Sequence, residues 1–432
     1  MKITVIGTGY VGLVQGVGLA EKGHQVVCVD IDKEKIKKMQ QGISPIYEVG
    51  LETLMQKNIK KKRLLFTHNL NIGLKKAQVI FIAVGTPQGE NGQADLSQVY
   101  KVAEDIGKNL SHYAVIANKS TVPVGTSRKV KKIIERFYKG EVDVVSNPEF
   151  LREGKAVKDF LNPDRIVVGT VSKKAKNIME EVYKSFKCPK LFVSPKSAEM
   201  IKYASNAFLA TKISFINEIA GICERVGADV KEVAYGMGLD SRIGDKFLEA
   251  GIGYGGSCFP KDTRALNQIA NLNNYEFKIL KAVIEVNNNQ KKFLQEKIKK
   301  TFPDLRGVVL AVWGLSFKPD TDDIRESPAI NLIQWLKGQG AYVRAHDPIA
   351  IENAKKILPS EISFFSSPYE AAQGAEGVVI VTDWKEYKEI NKNLLKEKLK
   401  NYHIFDGRNI FNIWEMEKLG FIYKGIGRSG KI

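Results

Sequence analysis

The strongest constraint on this chain is a glycine motif that directly follows a short hydrophobic run at its start. Residues 7–12 read Gly-Thr-Gly-Tyr-Val-Gly, which is the pattern G-x-G-x-x-G. The run at 2–6 predicts a strand, the stretch 10–22 predicts a helix, and a second β-rich run ends at Asp30. A glycine turn between a strand and a helix, with an acidic residue about twenty positions further on, is typical of dinucleotide-binding βαβ units. The chain is therefore expected to open with a doubly wound α/β domain.

Each position of the motif has a physical role in that interpretation. Gly7 permits the tight turn, Gly9 lets the backbone approach a pyrophosphate, and Gly12 lets the helix pack closely on the strand. Asp30 is suited to bind ribose hydroxyls and to repel a 2′-phosphate, which predicts NAD rather than NADP. A glycine turn without a ligand is the alternative. The residues predicted here to contact NAD are Gly7, Gly9, Tyr10, Val11, Gly12, Asp30, Lys35 and Thr86.

The hydrophobic pattern predicts two Rossmann-like doubly wound domains joined by a long central helix and a helical connector. Uninterrupted hydrophobic runs such as 79–84 are typical of strands buried on both faces of a parallel sheet. Ser194-Pro195 is a strong helix start, and no proline follows before Val226. The segment 375–382 echoes 77–84, which indicates a second domain of the same kind. The predicted domains are 1–194, 195–302 and 303–432, with strands at 2–6, 26–29, 79–84, 114–118, 142–145, 165–169, 190–193, 308–314, 342–345, 378–382 and 403–405.

The composition is that of an ordinary globular protein with a basic surface. Of the 432 residues, 44% are hydrophobic and 26% are charged, and the formal net charge is +18. The charge invites a nucleic-acid interpretation, but the basic residues are spread through predicted helices and the run 60–63 lacks interleaved aromatic residues. An anionic small substrate is favoured instead. With no hydrophobic run of membrane-spanning length and no export signal visible at Met1, we expect a cytoplasmic protein with neither a membrane nor a nucleic acid as partner.

One cysteine stands out from the others by its surroundings. Cys258 follows the glycine-rich segment 253–256, and Asp262 comes four residues later at a predicted helix start. Glycines leave a thiol accessible to a bulky ligand, and a thiol can attack an aldehyde to form a thiohemiacetal. The alternative is a small buried apolar residue. Because no C-x-x-C pair occurs, no metal site is predicted among Cys28, Cys188, Cys223 and Cys258.

Four further polar residues are candidates for the chemistry. Lys202 and Asn206 lie four positions apart on the predicted long helix, where an ammonium and an amide on one face suit an oxyanion. An exposed polar face is the alternative. Glu149 follows a predicted strand and is either a general base or a helix-start acid. Thr121 also follows a strand, and it either holds a water molecule or caps a turn.

Together these motifs resemble the UDP-glucose 6-dehydrogenase family, within the wider nucleotide-sugar dehydrogenases. The resemblance covers nearly the whole chain, and its motifs stand in the family's order. The segments 255–262 and 162–165 look more like the UDP-glucose branch than the branches acting on GDP-mannose or UDP-N-acetylmannosamine. The segments that carry the resemblance are 7–12, 119–123, 147–154, Lys202 with Asn206, 255–262, 317–318, Arg325 and 405–408.

The resemblance implies a four-electron oxidation of UDP-glucose to UDP-glucuronate that uses two NAD molecules in turn. Asp262, with Lys202 nearby, assists removal of the proton from the C6 hydroxyl. Cys258 traps the aldehyde as a thiohemiacetal, and a second oxidation gives a thioester. Lys202 and Asn206 stabilise oxyanions in both oxidations.

The family resemblance also implies roles in hydrolysis, binding and assembly. Glu149, with Thr121 holding the water, promotes thioester hydrolysis. Thr121, Glu153 and Arg325 contact the cofactor, and the long central helix forms a homodimer core. The implied substrate contacts are Glu149, Phe150, Leu151, Lys202, Asn206, Arg242, Phe247, Leu248, Gly251, Gly255, Lys318 and Arg408.

Three alternatives stay open at this point. A sister enzyme acting on GDP-mannose or UDP-N-acetylmannosamine would share the machinery, and substrate swaps separate these cases. A non-catalytic, basic NAD-binding protein predicts salt-sensitive nucleic-acid binding and no turnover. A single-step hydroxyacid dehydrogenase predicts one NADH per substrate, but leaves Cys258, Glu149 and the C-terminal domain without a purpose.

Overall fold

The computed structural model describes residues 1–89 and 92–428, and it divides into two compact units, 1–205 and 206–432. A single helix crosses from one unit to the other. The predicted α/β class is confirmed, because each unit is built on a sheet of mostly parallel strands. The finer division into three domains stays a prediction.

The first unit is built on a sheet whose described strands run in the order β3-β2-β1-β4-β5-β6-β7-β8. All neighbours pair in parallel except β6 and β7, which meet antiparallel at Ser146 and Gly169. The strands are β1 (Lys2–Ile6), β2 (Gln25–Val29), β3 (Leu64–Thr67), β4 (Val79–Ile82), β5 (Val115–Asn118), β6 (Asp143–Ser146), β7 (Ile166–Gly169) and β8 (Lys190–Val193). The helices of this unit are α1 (Tyr10–Glu21), α2 (Lys33–Gln40), α3 (Leu51–Lys60), α4 (Leu70–Leu74), α5 (Ser97–Asn109), α6 (Thr126–Phe137), α7 (Ala156–Leu161) and α8 (Lys173–Val182).

The sheet is covered on both faces, as the uninterrupted hydrophobic runs predict. All four residues of β4 are fully buried. Alternate residues enter different cores, because Val79 and Phe81 pack into one cluster while Ile80 and Ile82 pack into another.

The strands β1, β2, β4, β5 and β6 pair in parallel. Their carboxyl ends therefore lie along one edge of the sheet, where ligands bind in open parallel sheets.

The second unit contains most of the long helix α9 (Pro195–Val226) and a second sheet of described strands in the order β11-β10-β9-β12-β13-β14. Its strands are β9 (Val309–Trp313), β10 (Tyr342–His346), β11 (Ser363–Phe364), β12 (Gly377–Ile380), β13 (His403–Asp406) and β14 (Ile422–Lys424). Its other helices are α10 (Val230–Gly238), α11 (Phe259–Leu272), α12 (Lys278–Thr301), α13 (Pro328–Gly338), α14 (Ile351–Lys355), α15 (Pro368–Ala372), α16 (Lys385–Lys388), α17 (Lys392–Lys398) and α18 (Ile413–Lys418).

The two sheets repeat one topology, as the sequence echo predicts. The order β11-β10-β9-β12-β13-β14 repeats β3-β2-β1-β4-β5-β6. The turn after the first strand also repeats, because Gly7 N–H donates to Val29 O and Gly314 N–H donates to His346 O, each at 2.8 Å. Only in the first unit does this turn carry G-x-G-x-x-G.

In the part of the chain that the structure covers, no helix has the length and apolar character needed to cross a membrane.

Candidate active site

The glycine motif forms the turn between β1 and α1. Gly7 has a φ of +92°, and a Cβ there would lie 2.7 Å from the carbonyl oxygen of Ala83. A Cβ at Gly12 would lie 1.9 Å from the Gly7 carbonyl oxygen, whereas a Cβ at Gly9 would meet nothing within 4 Å. Close backbone packing therefore requires Gly7 and Gly12. Gly9 instead leaves the start of α1 open, where free N–H groups and the helix dipole favour an anion.

Asp30 lies at the carboxyl end of β2 and faces this turn. One carboxylate oxygen accepts hydrogen bonds from Thr8 N–H at 2.8 Å and Thr8 Oγ1 at 2.6 Å, and it lies 3.2 Å from Lys35 Nζ. The other oxygen accepts from Asp32 N–H at 3.1 Å. Burial alone would raise the pKa of Asp30, but the hydrogen bonds from Thr8 and Asp32 and the charge of Lys35 outweigh it and lower the pKa. Asp30 is therefore ionised at neutral pH.

The first turn of α1 also reaches the loop that follows β6. The hydroxyl of Tyr10 accepts a hydrogen bond from Gly154 N–H at 2.6 Å, and the buried carboxylate of Glu48 accepts from the same N–H at 2.7 Å. Glu153 comes directly before Gly154, and both Glu153 and Val11 are half-buried. These contacts fix the Glu153 loop beside the glycine motif.

The loops after β4 and β5 hold each other. Thr86 Oγ1 donates to the Thr121 carbonyl at 3.0 Å, and Ser120 Oγ donates to the Val84 carbonyl at 2.7 Å. Thr86 is buried and Thr121 is half-buried. The Thr86 hydroxyl therefore positions the backbone of the Thr121 loop.

Glu149 and Lys202 form a buried ion pair between the loop after β6 and α9. Lys202 Nζ lies 2.9 Å from Glu149 Oε1, and the two side chains are only 4% and 6% exposed. The other Glu149 oxygen accepts from Leu151 N–H at 2.5 Å. Burial would raise the pKa of Glu149, but the charge and hydrogen bond of Lys202, the Leu151 N–H and the charge of Lys119 together lower it. Glu149 is thus held ionised despite its burial.

Phe150 lies next to this pair, and its ring is close to two cations. Its ring centroid is 3.9 Å from the Arg165 guanidinium and 5.5 Å from Lys202 Nζ. Arg165 also donates to Ser205 Oγ at 3.4 Å. Phe150 and Leu151 are half-buried, so both present surface beside the ion pair.

Cys258 is the N-cap residue of α11 and is half-buried. Its thiol lies 3.6 Å from the hydroxyl of Ser257. A helix N-terminus carries partial positive charge and stabilises a negative charge placed there. Cys258 therefore lies at the end of α11 that interacts favourably with a negative charge, and the thiolate is the nucleophilic form of its side chain.

The glycines before Cys258 are required by backbone packing in the second unit. Gly256 has a φ of +84°, and its N–H donates to the Arg325 carbonyl at 2.9 Å. A Cβ at Gly255 would lie 2.3 Å from the Glu326 carbonyl oxygen. Neither position has room for a larger residue, so the loop is held in one path towards the thiol.

Asn206 and Asp262 form a second polar cluster, within the second unit. Asn206 Nδ2 donates to Asp262 Oδ2 at 2.6 Å, and Lys261 Nζ lies 2.6 Å from Asp262 Oδ1. Asp262 is 1% exposed, and its N–H donates to the Cys258 carbonyl at 2.8 Å. The carboxylate is therefore fixed one helical turn after the thiol.

The long helix α9 carries a member of each cluster. Lys202 pairs with Glu149, and Asn206, one helical turn later on the same face, pairs with Asp262. Each of these two residues of α9 is therefore held by a buried carboxylate of its own unit.

Arg408 follows β13, and its guanidinium bonds to three backbone carbonyls. Its Nε donates to Val381 at 2.7 Å, Nη1 to Gly253 at 3.2 Å and Nη2 to Phe317 at 3.5 Å. A guanidinium has five N–H donors, so these three contacts do not exhaust it. Burial lowers the pKa of Arg408, against the opposing charges of two nearby carboxylates.

Other predicted substrate residues lie around the same loop. A Cβ at Gly251 would lie 2.9 Å from the Gly407 carbonyl oxygen. Leu248 is buried, Phe247 has a φ of +67°, and the Phe247 ring centroid is 6.2 Å from that of Phe259.

Three basic residues predicted to bind ligands lie nearer the surface. Lys318 Nζ lies 5.2 Å from the ring centroid of the adjacent Phe317. Arg242 pairs with Asp240 at 2.6 Å and its side chain is 87% exposed. Arg325 pairs with Asp323 at 2.7 Å and its side chain is 63% exposed.

Comparison with known proteins identifies the chain. Three models of the UDP-glucose/GDP-mannose dehydrogenase family match it in succession: the NAD binding domain over residues 1–187, the central domain over 196–289 and the UDP binding domain over 311–413. The chain belongs to the UDP-glucose/GDP-mannose dehydrogenase family. It is an NAD-dependent nucleotide-sugar dehydrogenase, as the sequence motifs predict.

Members of this family match the chain from end to end. The UDP-glucose 6-dehydrogenase TuaD of Bacillus subtilis is 51% identical over 429 residues, covering 99% of this chain and 93% of the relative. A UDP-glucose dehydrogenase from the hyperthermophilic archaeon Pyrobaculum islandicum is 37% identical with a TM-score of 0.93, covering 99% and 98% of the two chains. A UDP-D-ManNAc dehydrogenase from Pyrococcus horikoshii is 28% identical with a TM-score of 0.87, covering 99% of each chain.

The glycine turn of this dehydrogenase fits NAD. A Cβ at Gly9 would find open space, and the N-terminus of α1 lies directly behind it. Asp30 is ionised beside the same turn, at the position that contacts the adenosine ribose in such folds. Among residues 1–89 and 92–428, no three His, Cys, Asp or Glu side chains are grouped so as to hold a metal ion; the absence of a metal cofactor stays a prediction.

Three polar residues in these clusters received no role from the sequence. Glu48 contacts the distant Gly154, and Lys261 contacts the adjacent Asp262. No sequence motif indicates either contact. Lys119 stands inside the quoted segment 119–123, yet only the fold shows that its amine is buried near Glu149. A lysine directly after a buried strand was the available signal for Lys119.

Proposed function

We propose that this dehydrogenase oxidises UDP-glucose at C6 to UDP-glucuronate, in two oxidations followed by one hydrolysis. The relatives that support this substrate are named for it, and one of them is 51% identical over nearly the full chain. One observation supports the chemistry: Lys202 and Asn206 lie one turn apart on α9, and each is bonded to a buried carboxylate. Such a pair suits a reaction in which an oxygen becomes negative more than once.

The first oxidation uses Asp262 as the proton acceptor for the C6 hydroxyl. Bound NAD supplies the hydride acceptor in both oxidations. Asp262 is buried, and Asn206 and Lys261 orient its carboxylate. The amide of Asn206 and the ammonium of Lys202 stabilise the oxygen as it loses its proton.

Cys258 then captures the aldehyde before it can leave. Its sulfur forms a bond to the aldehyde carbon, and the thiol proton ends on the former carbonyl oxygen. Loss of a second hydride and a proton from this thiohemiacetal leaves a thioester. The position of Cys258 at the positive end of α11 supports nucleophilic attack.

Hydrolysis of the thioester is assigned to Glu149. Water adds to the thioester carbon, Glu149 accepts a proton from that water, and cleavage of the carbon–sulfur bond restores the thiol. The lowered pKa of Glu149 keeps it ionised, and so able to accept a proton, throughout the neutral range. Thr121, on the loop held by Thr86, is proposed to hold the water.

Binding roles follow from the same loops. Arg408 and Lys318 are proposed to bind the pyrophosphate of the substrate, since a fork of N–H donors and a lysine both suit phosphate oxygens. The cofactor contacts proposed are Gly7, Gly9, Tyr10, Val11, Gly12, Asp30, Lys35, Thr86, Thr121, Glu153 and Arg325. The remaining substrate contacts proposed are Glu149, Phe150, Leu151, Lys202, Asn206, Arg242, Phe247, Leu248, Gly251 and Gly255.

Exposed apolar residues on α9 and the free cysteines support a proposed assembly and location for this enzyme. Phe208, Phe215 and Ile222 recur every seven residues on α9, and they are 65%, 48% and 55% exposed. An apolar stripe at that spacing supports a homodimer formed through this helix. A cytoplasmic location agrees with four free cysteines, because the proposed nucleophile must remain a thiol.

A substrate panel tests the choice of sugar. Equal concentrations of UDP-glucose, UDP-N-acetylmannosamine and GDP-mannose are supplied with excess NAD, and both NADH and the acid product are measured. We expect kcat/KM to be highest for UDP-glucose by at least about a hundredfold, because sites built for particular hydroxyls reject analogues strongly. A preference for UDP-N-acetylmannosamine would contradict the proposed substrate and would instead give the chain the activity for which the Pyrococcus horikoshii relative is named.

A further inference from the structure

Lys119 has a buried amine that takes no part in the proposed oxidations or in the proposed binding of the substrate. It follows β5 directly, its N–H donates to the Ile82 carbonyl at 2.8 Å, and the residue is 7% exposed. Its Nζ donates to Asn147 Oδ1 at 3.3 Å, which is long for an ammonium group. A buried charge held by one weak hydrogen bond is costly, so its presence calls for a reason.

The amide that holds Lys119 is itself fixed from two sides. Asn147 Nδ2 donates to the Val167 carbonyl at 2.7 Å, and Tyr183 OH donates to Asn147 Oδ1 at 2.5 Å. Gln15, on α1, lies 3.5 Å from the same Tyr183 hydroxyl. Asn147 is fully buried, so the amine of Lys119 rests on a rigid support rather than a mobile side chain.

The charged groups that act on Lys119 are those of the Glu149–Lys202 pair. Burial is the largest effect and lowers the pKa of Lys119 to about 8, the charge of Glu149 opposes this, and the charge of Lys202 adds to it. In return, the charge of Lys119 lowers the pKa of Glu149. Glu149 thus has one cation in direct contact, Lys202 on α9, and a second on the loop after β5, where the Lys119 amine is bonded to Asn147, two residues before Glu149 in the chain.

We propose that Lys119 is a positioning residue for thioester hydrolysis, which acts through Glu149 by holding that carboxylate ionised when the water must lose its proton. The inference rests on the hydrolytic role proposed for Glu149. In this step the water proton moves to Glu149, the carbon–sulfur bond breaks, and Lys119 itself neither gains nor loses a proton.

The test compares the full-length enzyme with Lys119→Met, in which an uncharged side chain of similar length replaces the amine. Steady-state turnover with UDP-glucose is measured from acid to mildly alkaline pH. Samples quenched in acid are weighed by intact-protein mass spectrometry, which gives the fraction of protein carrying the acyl group on Cys258.

For Lys119→Met we expect the acid limb of kcat to move to higher pH by roughly one unit, because a nearby cation lowers a carboxyl pKa by about that much. At the acid end, kcat then falls about tenfold relative to wild type and the acylated protein accumulates. KM for UDP-glucose changes little. An acid limb and an acyl fraction equal to those of the wild type would overturn the proposal.

Thermal stability separates this role from a structural one. The folded pKa of Lys119 is below its ordinary value, so protonated Lys119 destabilises the fold below about pH 8, and this contribution fades as pH rises towards the ordinary value. We therefore expect Lys119→Met to raise Tm, or leave it unchanged, near neutral pH, with the difference disappearing at strongly alkaline pH. A lower Tm with an unchanged pH profile would identify Lys119 as a structural residue only.

Two further variants complete the design. Lys119→Gln retains a donor for Asn147 without the charge, and should shift the acid limb as Lys119→Met does, even if the latter folds poorly. Lys139→Met, at an exposed lysine after α6, should leave the profile unchanged. If the wild type forms no NADH from UDP-glucose, both the proposed function and the role of Lys119 fail. If the wild type is active and the Lys119 variants have its pH profile and acyl fraction, only the role of Lys119 fails.

Discussion

At the scale of single residues, the site depends on where the fold holds charge. Asp30 and Glu149 are both kept ionised by hydrogen bonds and cations that outweigh their burial. Their proposed roles differ because their neighbours differ: Asp30 faces the glycine turn, and Glu149 faces α9. Sequence motifs identified both carboxylates as candidates, but the ionised state comes from contacts with residues up to 53 positions away.

We expect Asp30→Ala to weaken NAD binding and to relax the discrimination against NADP. The substitution removes hydrogen bonds from a charged acceptor, worth about 1.5–3 kcal/mol, and also removes the charge that repels a 2′-phosphate. The KM for NAD should rise about tenfold or more while the ratio of NADP to NAD activity increases. Asp105→Ala, at a half-buried position on α5 that pairs with Lys101, is the control. An unchanged cofactor preference would remove Asp30 from its proposed role.

We expect Cys258→Ser to abolish turnover, because a hydroxyl is a far weaker nucleophile than a thiolate. The loss of kcat should be at least about a thousandfold, with the protein folded as judged by its Tm. Cys188→Ser, at another half-buried free cysteine, should retain activity. Near wild-type turnover by Cys258→Ser would rule out the thiohemiacetal route.

Among the elements, α9 and the loop before α11 carry most of the residues proposed for the chemistry. The glycine loop is supported by α9 and α12, because Asn217 accepts from Gly251 N–H at 2.9 Å and Asn287 accepts from Tyr254 N–H at 2.8 Å. Gln290 donates to the Gly251 carbonyl at 2.7 Å. The loop is therefore a fixed part of the second unit.

We expect Gly256→Ala to destabilise the second unit and reduce activity together. A left-handed conformation costs a residue with a Cβ about 1–2 kcal/mol, and here the Cβ would also lie 2.6 Å from the Phe317 ring. Gly236→Ala is the matched control, because Gly236 lies in α10 with open space around it. This substitution should increase the free energy of unfolding by about 0.5–1 kcal/mol. Scanning calorimetry measures both. Equal melting temperatures for the two variants would show that the loop is not under this constraint.

The elements that sequence reasoning found are the long and strongly patterned ones. Ser194-Pro195 fixed the start of α9, and hydrophobic runs identified the central strands. The missed strands are β3, β11 and β14, which contain four, two and three residues and lie at or beside sheet edges, where the hydrophobic signal is weak. The reversed pairing of β6 with β7 was also not foreseen, because strand direction depends on the path of the connection and not on local pattern.

At the scale of the whole molecule, one topology is used twice with different consequences. In the first unit the turn after β1 is open at Gly9, as cofactor binding requires. In the second unit the corresponding carboxylate, Asp347, is buried and accepts hydrogen bonds from the backbone of Leu315, Ser316 and Ala350. The repeated fold therefore keeps an acidic residue after its second strand, but in the second unit that residue braces the turn.

We expect Phe215→Asp to convert a dimer into a monomer. Placing a charge in the middle of the exposed stripe on α9 would bury it unpaired in the proposed interface, at a cost of several kcal/mol. Multi-angle light scattering gives the mass directly. Phe137→Asp, at a similarly exposed phenylalanine on α6, should leave the mass unchanged. A monomeric wild type, or a dimeric Phe215→Asp, would contradict the assignment of the interface.

The proposed mechanism requires that this chain remove four electrons from one sugar nucleotide. The most direct measurement is the amount of NADH formed per molecule of UDP-glucose, with excess NAD and limiting substrate. We expect two NADH and one UDP-glucuronate for each UDP-glucose consumed. A ratio of one, with an aldehyde as the product, would contradict the capture by Cys258 and the hydrolysis by Glu149.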